Sequence, residues 1–159
     1  MGTIITQTHI TSPQTIWRKY RNLSMKKYPI TQTIIAIFAG IILSFMAVMQ
    51  TESILVKFGT SPVANPSKEA YDSMIKETST SIFLIYILGH ALSSFFGSYL
   101  ACRLSPQIYK TLSGFVVGFI LLLGGIVLFV TFNFPLWVGL STCVSYLLFS
   151  FFAIKIASK

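Results

Sequence analysis

His90 lies in a stretch, Thr78 to Cys102, that contains no Lys, Arg, Asp or Glu. An ionisable side chain at such a place is a functional candidate, because a charge taken out of water is expensive to hold. Two roles are open to it. A neutral imidazole can be satisfied by hydroxyls on neighbouring helices, and Ser44, Ser93, Thr142, Ser145 and Tyr146 fall at a similar depth. This structural role is the expectation. Alternatively, His90 can carry a proton or hold a substrate, which calls for a second titrating group. Glu52 is the nearest in reach, and it is expected close to the outer surface as a solvated or lipid-boundary carboxylate, with Lys57 as its available partner. The candidate polar site is therefore His90, Ser93, Thr142, Tyr146 and Glu52.

Other chemistry is not written in this chain. It has no GxSxG, no HExxH, no phosphate-binding glycine loop and no pair of carboxylates within an apolar stretch. Its two cysteines, Cys102 and Cys143, fall at different depths and cannot bridge within one chain. No CxxC or Cys/His cluster suggests a metal or redox group. The expectation is a protein that is not an enzyme and has no cofactor.

The elements that must position these residues follow from charge and hydropathy. No charged side chain occurs from 111 to 154, and Asn133-Phe134-Pro135 interrupts that run near its middle. One helix of that length would measure about 66 Å, twice the hydrocarbon thickness of a bilayer, so it is read as two spans joined by a hairpin. With Pro29–Thr51 and Thr78–Cys102, the chain is an all-α, four-helix transmembrane bundle, with spans at about 30–50, 81–102, 111–132 and 135–154. A composition 53% hydrophobic and only 10% charged leaves little for a separate soluble domain.

The net charge of +8 is placed as a topology signal and not as a nucleic-acid surface. Arg18, Lys19, Arg21, Lys26, Lys27, Arg103, Lys110, Lys155 and Lys159 fall on one side, against Lys57, Lys68 and Lys76 on the other. The positive-inside rule then puts both termini in the cytoplasm, with loop 51–80 and the Asn133 hairpin outside. The partners expected are the bilayer, and other membrane subunits or a second copy.

Residues 1–29 read as a basic cytoplasmic leader. Ser12-Pro13 resembles a helix start, followed by a short interfacial helix carrying Ile16, Tyr20 and Leu23. Met25-Lys26-Lys27 before the first span imitates a signal peptide without a small-residue cleavage site, and Met25 is an alternative start to Met1. Residues 30–157 form the transmembrane domain. The first helix is expected to continue past Met49 as an amphipathic turn through Phe58. All 4 acidic residues lie in loop 51–80. There, Asn65-Pro66 or Ser67 can cap a surface helix that turns Ala70, Tyr71, Met74 and Ile75 inward and pairs Asp72 with Lys68 and Lys76. Trp137 and Tyr71 suit the outer aromatic belt.

Gly89, Ser93, Gly97 and Ala101 recur every fourth residue on the second span, giving a flat face for close helix approach. Gly114 and Gly118 on the third span, and Ala36, Gly40 and Ser44 on the first, offer similar faces. They serve packing within one chain or, alternatively, dimerisation.

Ala39-Gly40 through Met49 to Glu52, a proline-containing polar loop, Gly89 through Gly97-Ser98-Tyr99-Leu100-Ala101 to Arg103, and Phe134-Pro135-Leu136-Trp137 together resemble a set of small bacterial four-span hypothetical membrane proteins. The likeness covers about 33–157. Where those proteins carry Gly-Gly before the Ala-x-Arg end, this chain has Gly97-Ser98. The resemblance implies the topology and a bacterial cytoplasmic (inner) membrane, and it carries no activity. The functional expectation is a non-enzymatic accessory or assembly subunit of a membrane complex, or a homo-oligomer. The alternative is a small transporter or channel with a polar site around His90.

Overall fold

The computed structural model describes residues 29–58 and 67–158. The expected interfacial helix, the leader around it and the Asn65-Pro66 cap lie outside the described residues. Five α-helices and one 3-10 turn make up what is described: α1 (Pro29–Phe58), α2 (Lys68–Glu77), α3 (Thr80–Leu104), the turn Gln107–Tyr109, α4 (Lys110–Thr131) and α5 (Leu136–Ala157). No strand occurs among the described residues. Four of the helices, α1 and α3 to α5, are long and apolar enough to cross a membrane, and the chain is an integral membrane protein of bundle form.

The ends of these helices follow local chemistry. Pro29 opens α1 at a position where its missing N–H costs nothing. Pro135 precedes α5, and Lys155 sits in its last turn, where a cation meets the negative end of the helix dipole. Ser67 caps α2 by accepting from the Ala70 N–H at 3.4 Å. At 30 residues, α1 is about 45 Å long and outruns the hydrocarbon layer, which places Glu52 on its final two turns.

The bundle is inverted relative to a water-soluble one. Large apolar side chains such as Phe38, Ile42, Phe96 and Phe151 face outward, while Ser44, Ser93, Ser94, Ser98 and Ser150 are buried. Lipid tails accept the former, and the small hydroxyl residues let backbones approach and then bond across helices. Ser98 Oγ donates to Ser150 Oγ at 3.0 Å, and both hydroxyls stand 3.1 Å from the Gly114 carbonyl, joining α3, α4 and α5. Ser94 donates to the Tyr146 carbonyl at 2.8 Å.

Helix α3 is the hub, packed on α1, α4 and α5, while α4 also packs on α5. The small-residue faces are used in these contacts. A side chain at Gly97 would meet Ser44 and the Gly40 carbonyl, and one at Gly89 would meet Thr51, so the α3 stripe lies on α1. Ala101 is fully buried on the same seam. Gly114 lies against Ile154 and Cys102, and Gly118 against Ser150. By contrast, α1 meets α4 over a much shorter stretch, and the bundle is open between them.

Helix α2 lies across the end of the bundle where α1 finishes and α3 begins. Met74 and Ile75 are buried with Leu55, Phe83, Tyr86 and Val138. Asp72 does not pair with Lys68 or Lys76 as the i,i+4 spacing suggests. Its carboxylate instead accepts from Asn133 N at 3.0 Å and Asn133 Nδ2 at 2.6 Å, tying α2 to the α4–α5 hairpin. Two fixed amide donors hold a carboxylate better than two mobile, hydrated ammonium groups.

Candidate functional site

Glu52 is the centre of a cluster drawn from four helices. Tyr86 on α3 donates its hydroxyl to Glu52 Oε1 at 2.8 Å, and Tyr71 on α2 donates to Oε2 at 2.6 Å. His90, one turn beyond Tyr86 on α3, places Nε2 at 3.5 Å from Oε1, within ion-pair distance. Its other ring nitrogen, Nδ1, is hydrogen-bonded to the Tyr146 hydroxyl of α5. The imidazole has no solvent exposure and the Glu52 side chain retains 20%.

Each position has a local cause. Tyr86 and His90 are four residues apart and so share one face of α3, with ring centroids 4.3 Å apart. Tyr71 is aimed inward because Met74 and Ile75 bury that side of α2, and its ring packs 4.5 Å from that of Phe132. Tyr146 reaches the cluster past Gly125, where even a methyl group would stand 2.6 Å from its ring. Burial first, and then the Glu52 carboxylate, hold the Tyr71 phenol well above the ordinary phenol range, so it remains a donor.

Two expectations about the site are corrected. Glu52 is not a solvated partner of Lys57; it turns inward, where an ionised carboxylate has accepting sites for both phenols and the imidazole. The hydroxyl layer satisfies His90 at one ring nitrogen only, through Tyr146. Ser44 bonds to the Gly40 and Ser93 carbonyls, Ser93 to the His90 carbonyl, Thr142 to Val138 and Ser145 to Thr142. A helical Ser or Thr finds a carbonyl on its own helix within reach, and that bond wins over a distant ring. Tyr146 is the one member of that layer bonded to His90, and Nε2 has no hydrogen-bond partner among the described residues.

Of the residues singled out from sequence, Glu52, His90 and Tyr146 are brought together, Thr142 lies nearby, and Ser93 serves the backbone. Tyr71 and Tyr86 were missed. The Tyr86-x-x-x-His90 spacing was a usable signal for the second; Tyr71 reads from sequence as an interfacial anchor.

Two spaces adjoin the cluster. Beside His90 a pocket of about 10 Å³, walled by Tyr86, Gly125, Phe134, Thr142 and Tyr146, has room for about one water. Between α1 and α4 runs a much larger cleft of about 350 Å³, lined by apolar side chains except for Glu52 and Tyr146. His90 thus borders the small pocket alone, and Glu52 is the group that looks into the large cleft. Among the described residues no three of His, Cys, Asp and Glu converge.

Comparison with family models, with curated proteins and with solved structures returned no match, so the functional reading rests on the geometry of Glu52 and His90.

Proposed function

We propose that this chain is a small membrane carrier that moves a bound species without converting it, with Glu52 and His90 as the proton-handling pair. The observation that carries this reading is the 3.5 Å approach of a buried imidazole nitrogen with no hydrogen bond to a carboxylate bordering a cleft. With a neutral imidazole the pair carries one negative charge, and with a protonated one it is neutral overall. The difference is one proton, taken up or released where a net charge is costly. Glu52 beside His90 supports this reading, since a relay calls for a second titrating group.

The accessory-subunit reading draws less support. A subunit needs free packing faces, whereas the small-residue faces of α1, α3 and α4 lie against other helices of the same chain. The full chain in liposomes loaded with a pH-sensitive dye tests the carrier. An imposed pH gradient should collapse faster than in empty liposomes, and Glu52→Gln and His90→Gln should each return the rate to the lipid background. A chain-dependent rate that survives both substitutions, or no chain-dependent rate at all, removes the proposal.

A bacterial inner membrane and cytoplasmic termini belong to the same proposal, supported by the basic-residue distribution and by the family resemblance. In a variant with Cys102 and Cys143 replaced by alanine, a cysteine at position 133 should react with an impermeant thiol reagent in intact cells. Labelling only after the inner surface is opened inverts the topology.

A further inference from the structure

We propose that the cleft between α1 and α4 binds a lipophilic monovalent cation, its charge on Glu52 and its apolar body between the two helices. This deepens the carrier reading and shares its Glu52–His90 site.

The space is of ligand size: about 350 Å³, against the roughly 300–1,000 Å³ usual for small-molecule sites. Phe45 and Met49 of α1 and Ile120, Leu121 and Leu128 of α4 line it, and its polar groups are Glu52 and Tyr146. It opens sideways. Phe45, Met49 and Gly124 are exposed on the lipid-facing side, so an entrant arrives from the bilayer and must be lipophilic. Gly124 is informative here. Among the described glycines it is the one whose missing side chain would meet nothing within 4 Å, so close helix packing does not explain it, and its bareness leaves the cleft wide.

Charge decides what fits. Among the described residues the titratable groups of the cluster are Glu52 from α1, Tyr71 from α2, Tyr86 and His90 from α3 and Tyr146 from α5, with the Cys143 thiol near Tyr146 on α5; α4 contributes none. With His90 neutral, the single full charge is the carboxylate, held by two phenols that share no positive charge with it. An anion in the cleft would be repelled, and a neutral solute would leave the charge uncompensated in an apolar wall. A cation compensates it, and the faces of Phe45 and Tyr146 favour one that sheds water readily, as quaternary ammonium or phosphonium groups do. A proton on His90 compensates the same carboxylate from the other side. Cation and proton thus compete, and a cation that binds the protonated pair displaces one proton to solvent.

The test is binding of tetraphenylphosphonium to the purified full chain in detergent, followed by calorimetry in buffers of different protonation enthalpy. Saturable binding that weakens as the pH falls is expected, with proton release per cation that rises toward one as the pH is lowered and the pair becomes protonated. Glu52→Gln should lower affinity about 30-fold or more, as for loss of one partner of a buried charge pair. Gly124→Phe, which fills the cleft, should do likewise with thermal stability retained. Equal affinity in Glu52→Gln, or equal competition by tetraphenylborate or triphenylphosphine oxide, would show a groove that does not read charge and overturns the proposal. The two readings fail separately. Proton flux dependent on Glu52 and His90 without tetraphenylphosphonium binding keeps the carrier and discards this substrate class; charge-selective binding without flux keeps the cation site and discards the carrier.

Discussion

Gly97→Leu should prevent α3 from seating on α1 and lower stability by about 3 kcal/mol, the upper end for overpacking. The seam is a backbone contact. A Cβ built on Gly97 stands 2.6 Å from the Gly40 carbonyl oxygen and 3.0 Å from Ser44 Cβ, and one built on Gly40 stands 2.6 Å from the Gly97 carbonyl. A flexible side chain could turn away, but a helix backbone cannot, so the helices must separate along their length. Separation also lengthens the bond from Ser44 to the Ser93 carbonyl, now 3.1 Å, and withdraws Glu52 from Tyr86 and His90, which belong to α3. Gly97→Ala should show most of the same loss, because the conflict begins at the first carbon. Gly124→Ala, with nothing within 4 Å, should stay within about 0.5 kcal/mol of the parent. Unfolding in mixed micelles with increasing denaturing detergent compares the three. Equal stability of Gly97→Leu and Gly124→Ala would mean that the α1–α3 contact is not the one that holds the bundle.

Much of this frame is legible in the sequence because membrane helices declare themselves by composition within a single segment. The hairpin at Asn133-Phe134-Pro135, the cap at Ser67 and the inward face of α2 at Met74 and Ile75 are all local patterns. At the hairpin the helix limits fall within one residue of those read from sequence, while α3 and α5 run two and three residues further at their C-terminal ends, because the apolar window marks the lipid layer and the helix itself continues to its cap. The α3 stripe is legible too, since Gly89, Ser93, Gly97 and Ala101 sit on one side of one helix. The site is less so. Glu52 meets Tyr86 and His90 only because the close α1–α3 seam sets the rotation of α1, and a rotation half a turn away would send the carboxylate to lipid. Tyr71 reaches Glu52 because α2 folds back over the bundle, anchored by Asp72 on Asn133, a contact 61 positions apart in the chain. A tyrosine near a span's end reads equally well as an interfacial anchor and as a buried donor; the fold decides, and nothing in its neighbours does. The serines misled for the opposite reason, since their depth is right but their hydroxyls are taken by carbonyls of their own helices.

Glu52→Leu should cost about 3 kcal/mol and, unlike the glycine change, the loss should be recoverable. The substitution leaves two phenol donors without an acceptor: Tyr86, buried and 2.8 Å from Oε1, and Tyr71, half-buried and 2.6 Å from Oε2. A stranded buried donor costs about 1–3 kcal/mol, more for the deeper one, and the sum falls near the figure given. Glu52→Gln keeps one carbonyl acceptor and should lose only about 1 kcal/mol, which is why it suits the flux and binding experiments. Burying the carboxylate is itself unfavourable, and removing a buried polar cluster whole is often neutral or stabilising where removing one partner is not. The Glu52→Leu/Tyr71→Phe/Tyr86→Phe variant should therefore return to the stability of the parent or exceed it, while being unable to bind cation or proton. The same micelle unfolding assay measures the cycle, with the two tyrosine changes also made alone. If the tyrosine changes add their own losses to that of Glu52→Leu, the three side chains act independently and the cluster is not one hydrogen-bonded unit. If the triple variant recovers, the cluster is a feature the bundle folds as well without, and stability alone does not account for a carboxylate and an imidazole at this place.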